Sequence, residues 1–246
     1  MLLASTGGEG ALREEKGSGP SAGRRRQVAV AGHQGDEDRA RAGLADGEPA
    51  VRATALGALA RMSRLTRADL AGGLADLEPR VRRRAVELAA RFPEPDLVTA
   101  LADPDPGVVE AAAWALGERG SGSGLAPLAG TALDHPDPLC REAAVAALGA
   151  IGAPESLGAI LAALNDRPAV RRRAVLALAP FEGPEVEAAL RRAASDRDWQ
   201  VRQAAEDLLL DDPRAGGPGP APRAPAATPA ESPGGNPGCS SGGNPG

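Results

Sequence analysis

One motif returns six times along this chain, about every thirty residues: an acid, a proline, then a Val-Arg pair opening an Ala/Leu-rich stretch. With the valine as marker, the copies stand at Val51, Val81, Val108, Cys140 (in place of valine), Val170 and Val201, spaced by 30, 27, 32, 30 and 31 residues. A period of this size is the signature of a solenoid, in which each unit buries its apolar face only by stacking on its neighbours.

Each position of the copy has a physical reason. Three residues before the marker stand Glu48, Glu78, Asp105, Asp137, Arg167 and Asp198, mostly acids where a helix N-cap accepts from unpaired N–H groups. Proline follows at 49, 79, 106, 138 and 168, suited to the first helical position because an N–H there has no partner; Trp199 breaks the rule. From the marker, apolar residues recur at offsets 0, 4, 5, 7 and 8, as in Val51, Ala55, Leu56, Ala58 and Leu59, one stripe of a 3.6-residue period. Gly117 with Gly120, and Gly149 with Gly152, are expected to stop two of these helices. A second, looser helix is expected in each unit, for example Pro154 to Leu164 and Pro184 to Ala194.

At this point the chain resembles a known family, the HEAT repeats, and especially the phycobilin-lyase-type HEAT-like repeats. The residues that carry the resemblance are DGEPAVRATALGALA from Asp46, DPDPGVVEAAAWALGERG from Asp103 and DRDWQVRQAAEDLLL from Asp196. The resemblance implies an all-α fold, a right-handed α-solenoid of about six helix pairs whose Val-Arg helices line the concave face. It also implies ladders between turn acids and the arginine after each valine, here Asp46, Asp76, Asp103 and Asp196 with Arg52, Arg82, Arg141, Arg171 and Arg202. Val109 stands for an arginine, and His135 and Asn165 for acids, so a break is expected over repeats three to five.

Composition fits a solenoid with a thin core. Hydrophobic residues make up 42% but aromatics only 2%, so closely approaching Ala, Leu and Val helices must supply the burial. Residues 24 to 46 read as a degenerate capping unit, and Glu206 puts a polar residue at offset 5 of the last copy, where an outer end is expected. Residues 1–23 and 213–246 are Gly-, Ser- and Pro-rich and are expected to be disordered flanks of a solenoid at 24–212. No stretch has the length of an apolar span, and a cytoplasmic monomer is the expectation.

Little in the chain points to chemistry. His33 and His135 are read as solvated turn residues, Cys140 fills a core position, and no phosphate loop or nucleophile constellation occurs. The expected class is therefore non-enzymatic, without cofactor or metal. If the Val-Arg helices form one face, offsets 2, 3 and 6 look outward, and the candidate partner-binding residues are Arg83, Arg84, Glu110, Trp114, Glu142, Arg172, Arg173 and Leu176. Six helices at about 10 Å spacing make a groove of roughly 50 Å, room for about fifteen residues of extended peptide.

The first reading is a protein-interaction scaffold that takes a peptide or a partner's helix, with Trp114 as anchor and the arginines clamping carboxylates. The alternative is nucleic-acid binding, as in HEAT-like alkylpurine DNA glycosylases, with Arg83/Arg84 and Arg172/Arg173 on phosphates. Glu110 and Glu142 between those pairs and a net charge of −5 argue against it. A lyase-like enzyme chaperone is a third possibility that the sequence does not separate from the first.

Overall fold

A computed structural model describes residues 19–92, 96–120 and 122–211. The expected disordered flanks therefore fall mostly outside the described residues, except that the first helix begins at Pro20, ahead of position 24. Twelve α-helices form the described part: α1 (Pro20–Gln34), α2 (Glu37–Gly43), α3 (Pro49–Arg61), α4 (Arg67–Leu74), α5 (Pro79–Ala89), α6 (Pro106–Arg119), α7 (Leu125–Asp134), α8 (Pro138–Ile151), α9 (Leu157–Ala163), α10 (Pro168–Ala177), α11 (Pro184–Ala193) and α12 (Trp199–Asp211).

The helices make two layers of an α-solenoid. In one, α1, α3, α5, α6, α8, α10 and α12 stack in order, each on the next. In the other, α2, α4, α7, α9 and α11 cover one flank of that stack. Between α5 and α6 the covering helix is reduced to a 3₁₀ turn, Val98–Ala102, which accounts for the short 27-residue spacing of that unit. No described helix is long and apolar enough to cross a membrane.

The apolar stripe is the core. Val170, Ala174, Val175, Ala177 and Leu178 are all buried, as are their counterparts from Val51, Val108 and Cys140, while Leu88 of the second copy and Leu208 and Leu209 of the last are partly buried. The offset-5 residues Leu56, Val86, Ala113, Val145 and Val175 lie inside, whereas Glu206 of α12 is exposed. Because the core residues are small, backbones approach closely: a Cβ on Gly32 would lie 2.8 Å from the Ala58 Cα, and one on Gly149 only 2.7 Å from the Ala177 Cα. Gly117 and Gly149 thus serve helix contact rather than helix termination. The stops are Gly120 and Gly152, whose φ values of 61° and 65° suit glycine.

Capping follows side-chain length. Asp105, Asp137 and Asp198 accept from N–H groups of the first turns of α6, α8 and α12. Glu48 and Glu78 do not, since the extra methylene carries the carboxylate past the N–H groups, and Arg167 has no acceptor to offer. At the N-terminal end α1 is a full helix that stacks on α3, with Val28 and Ala31 buried, so the capping unit is a helix pair like the others.

Candidate interaction surface

An Arg–Asp ladder sets the register of the Val-Arg layer. Arg52 donates from Nε and Nη2 to Asp76 at 2.8 and 2.7 Å. Arg82 reaches Asp103 in the same way, and Arg171 reaches Asp196. Every acid also accepts from a following backbone N–H, as Asp76 does from Glu78, so one carboxylate fixes both its turn and the preceding helix. Those Arg hydrogen bonds hold the Asp76, Asp103, Asp166 and Asp196 carboxyls below their usual range.

The ladder differs from the expectation at three places. Arg141 pairs with Asp166, at 2.6 and 2.8 Å, because the turn before α10 is one residue shorter and brings that aspartate where Asn165 was expected to fail. Asp46 takes its arginine from the capping unit, where Arg24 donates at 2.7 and 3.2 Å. Arg202, in the last helix, meets only the Asp196 carbonyl, at 2.7 Å. The break is thus confined to one rung. Val109 is fully buried, and His135 uses Nδ1 to accept from the Asp137 N–H at 3.1 Å, keeping the turn without a carboxylate.

On the open face of this layer the outward positions are not equivalent. Offsets 2 and 6 reach solvent, but Ala111 and Ala204 at offset 3 are buried, contrary to the sequence expectation. Trp114 is 48% exposed. It stands in a groove of about 360 Å³ floored by Ala111, Ala143, Ala146 and Ala147 of α6 and α8. Glu110 and Glu118, one helical turn to either side of Trp114, form the rim, with Arg83 and Glu87 of α5 opposite. Among the described residues neither Glu110 nor Glu118 forms an ion pair.

The arginines are less available than the sequence suggests. Arg83 and Arg84 both turn to Glu87, at 3.2 and 3.0 Å, and Arg173 reaches from α10 to Glu142 on α8 at 3.3 Å. Arg172 is exposed without an ion pair among the described residues, and it lies with the exposed Leu176 on α10, outside the Trp114 groove. The groove therefore gathers Arg83, Glu110 and Trp114 from the candidate set and leaves out Arg84, Glu142, Arg172, Arg173 and Leu176. Glu118 was missed because the offsets considered stopped at 6, although its place four residues after Trp114 puts it on the same helix face.

His33 lies exposed in the last turn of α1, and among the described residues no group of three or more His, Cys, Asp or Glu could hold a metal ion. Cys140 is buried with Sγ 3.3 Å from the Pro106 carbonyl oxygen, and burial pushes its thiol up to about 11, so it is a packing residue.

Comparison with known proteins agrees with this geometry. The profile for HEAT repeats matches residues 68–149 and 94–178, and that for the PBS lyase HEAT-like repeat matches 170–196. Among solved structures, Escherichia coli YibA is similar at 16% identity, covering 80% of this chain and 76% of that one, with a TM-score of 0.55. The complex of CpcE and CpcF of phycocyanin lyase from Nostoc sp. PCC7120 is similar at 20% identity, covering 84% and 81%, with a TM-score of 0.50. At these identities the likeness concerns the fold alone. Comparison with curated protein sequences gave no match. With HEAT profiles matching in succession from residue 68 to 196 across a stacked helix-pair array, the chain belongs to the HEAT-repeat family.

Proposed function

We propose that this protein is a non-enzymatic interaction scaffold that receives a peptide or a partner's helix on the open face of the Val-Arg layer, at Trp114. The observation that carries the reading is a half-exposed tryptophan over a floor of alanines in a chain almost devoid of aromatics. Trp199 is more exposed still, but it is Trp114 that lines the groove, and tryptophans set among small residues in a concave surface are the usual anchors of interfaces. The rim adds a preference: Glu110 and Glu118 flank the indole face and favour a cationic residue stacked on Trp114. That departs from the acidic-ended ligand expected from the sequence, because three of the four candidate arginines already hold Glu87 and Glu142.

Selection of peptides from a random library on the full chain tests the reading. Selected peptides should shift the emission of Trp114 in a Trp199→Phe background, and Trp114→Ala should weaken them by about thirtyfold or more while helicity is unchanged. Peptides that bind equally well to Trp114→Ala would place the interaction elsewhere. Nucleic acid does not fit the Trp114 groove, whose rim would set carboxylates against phosphates.

A further inference from the structure

A second groove on the same layer has the opposite charge. It is a trough of about 360 Å³ that follows α3, with α1 and α5 as its walls. Its floor is Ala50, Ala53, Thr54 and Gly57, all small. Four arginines line it, Arg25 from α1, Arg61 from α3, and Arg80 and Arg84 from α5, and its lining holds no acid. Among the described residues Arg25, Arg61 and Arg80 form no ion pair, and all three are exposed. Three like charges without an ion pair, beside an Arg84 held by Glu87, run against the composition of a chain whose net charge is −5.

We infer that this trough is a binding site for an acidic, extended peptide segment, distinct from the Trp114 groove. Arg84 contributes at the edge of the trough, and Arg25, Arg61 and Arg80 supply the unpaired charge. Glu87 holds one edge of the Arg84 guanidinium at 3.0 Å, and the group lies over Gly57, where a Cβ would come within 3.0 Å of Nη2. Arg80 opens α5 and Arg61 closes α3, so the charges are spread along the trough rather than clustered at a point. From Ala50 to Arg61 is eleven helical steps, about 17 Å at ~1.5 Å each, which matches about five residues of extended chain. In an extended segment alternate side chains point the same way, so acids at every second position would meet the arginines, whose forked N–H groups suit carboxylates. The ligand class follows from what the trough lacks and what adjoins it. No aromatic side chain lines it to stack a base, and a polyanion running on along the layer would meet Glu110 and Glu118.

The test is fluorescence anisotropy of a labelled peptide with glutamate at alternating positions, titrated with the full chain at low salt and again at higher salt. The peptide should bind, weaken as salt rises, and lose about tenfold or more in affinity to Arg61→Glu/Arg80→Glu. Arg61→Gln/Arg80→Gln should lose less, and Trp114→Ala should leave binding unchanged. A peptide that binds the charge-reversed protein as well as the parent overturns the inference, as does absence of binding to the parent. Tighter binding of single-stranded DNA than of the peptide to the same arginines would overturn it in favour of nucleic acid. Binding lost in Trp114→Ala but retained in the arginine variants would also overturn it, while leaving the Trp114 reading in place.

Discussion

Removing Arg82 should cost far more than removing Arg202, although the two occupy the same position of their repeats. Arg82 makes four contacts: Asp103 Oδ2 and Oδ1 at 2.7 and 2.8 Å, and the carbonyls of Asp76 and Leu77 at 3.0 and 2.9 Å. The Arg82 side chain is 15% exposed and that of Asp103 only 9%. In Arg82→Ala the carboxylate keeps a single partner, the Asp105 N–H at 2.9 Å. Breaking a buried pair from one side costs roughly 3–5 kcal/mol, and the partial solvent access here sets Arg82→Ala near the lower end, about 3 kcal/mol. Arg202 gives up one carbonyl contact and no acid, so Arg202→Ala should cost about 1 kcal/mol or less. Adding Asp103→Asn to Arg82→Ala should return about 1 kcal/mol, because the stranded charge goes while the turn keeps an acceptor. Urea unfolding followed by helical circular dichroism measures all three. Equal shifts for Arg82→Ala and Arg202→Ala, or a further loss on adding Asp103→Asn, would refute the reasoning.

Acid should act on the same rungs. The carboxyls of Asp76, Asp103, Asp166 and Asp196 are lowered in the folded state, so their contribution is fully present above the unfolded aspartate value of about 3.9 and is lost as pH falls through the lower folded values. Thermal midpoints should therefore stay level from neutrality to about pH 5 and drop below about pH 4; a decline already complete at pH 5 would assign the loss to other groups. Glycine-to-alanine substitutions should divide by contact rather than by helix. Gly149→Ala drives a methyl against the Ala177 backbone and should cost about 2 kcal/mol, whereas Gly130→Ala, with nothing within 4 Å of its added Cβ, should gain about 0.5–1 kcal/mol. Calorimetric midpoints that move the same way for both would contradict the close-approach account.

The repeat register was legible because proline and the marker valine each have one suitable place in a helix start, so six copies align without reference to contacts. What depended on exact turn length was not. Asn165 occupied the expected ladder position, yet the shorter turn hands the role to Asp166. Arg24 carries no Pro-Val marker, so nothing in its surroundings announces its pairing with Asp46 across 22 residues. The capping difference between Asp105 and Glu78 could have been foreseen from side-chain length, and so could the diversion of Arg83 to Glu87, four residues on along one helix. The pairing of Arg173 with Glu142 could not, since it joins two helices 31 positions apart. The α3 trough escaped notice because Arg25, Arg61 and Arg80 lie outside the three offsets read as outward-facing and converge only when α1, α3 and α5 are stacked.

The missing rung divides the solenoid's polar stitching into two runs, Arg24 to Asp103 and Arg141 to Asp196. Between them the α6–α8 seam, with Val109 and His135 in the rung positions, is held by close packing such as the approach of Gly117 to Ala147 and by the Cys140 thiol on the Pro106 carbonyl. Bending the array at this seam separates no Arg–Asp pair, so its resistance comes from close packing, which salt and acid do not screen. The Trp114 groove lies over that same seam. A ligand seated over α6 and α8 would therefore act on the one seam where no ion pair has to part, with a stitched run of helices to either side.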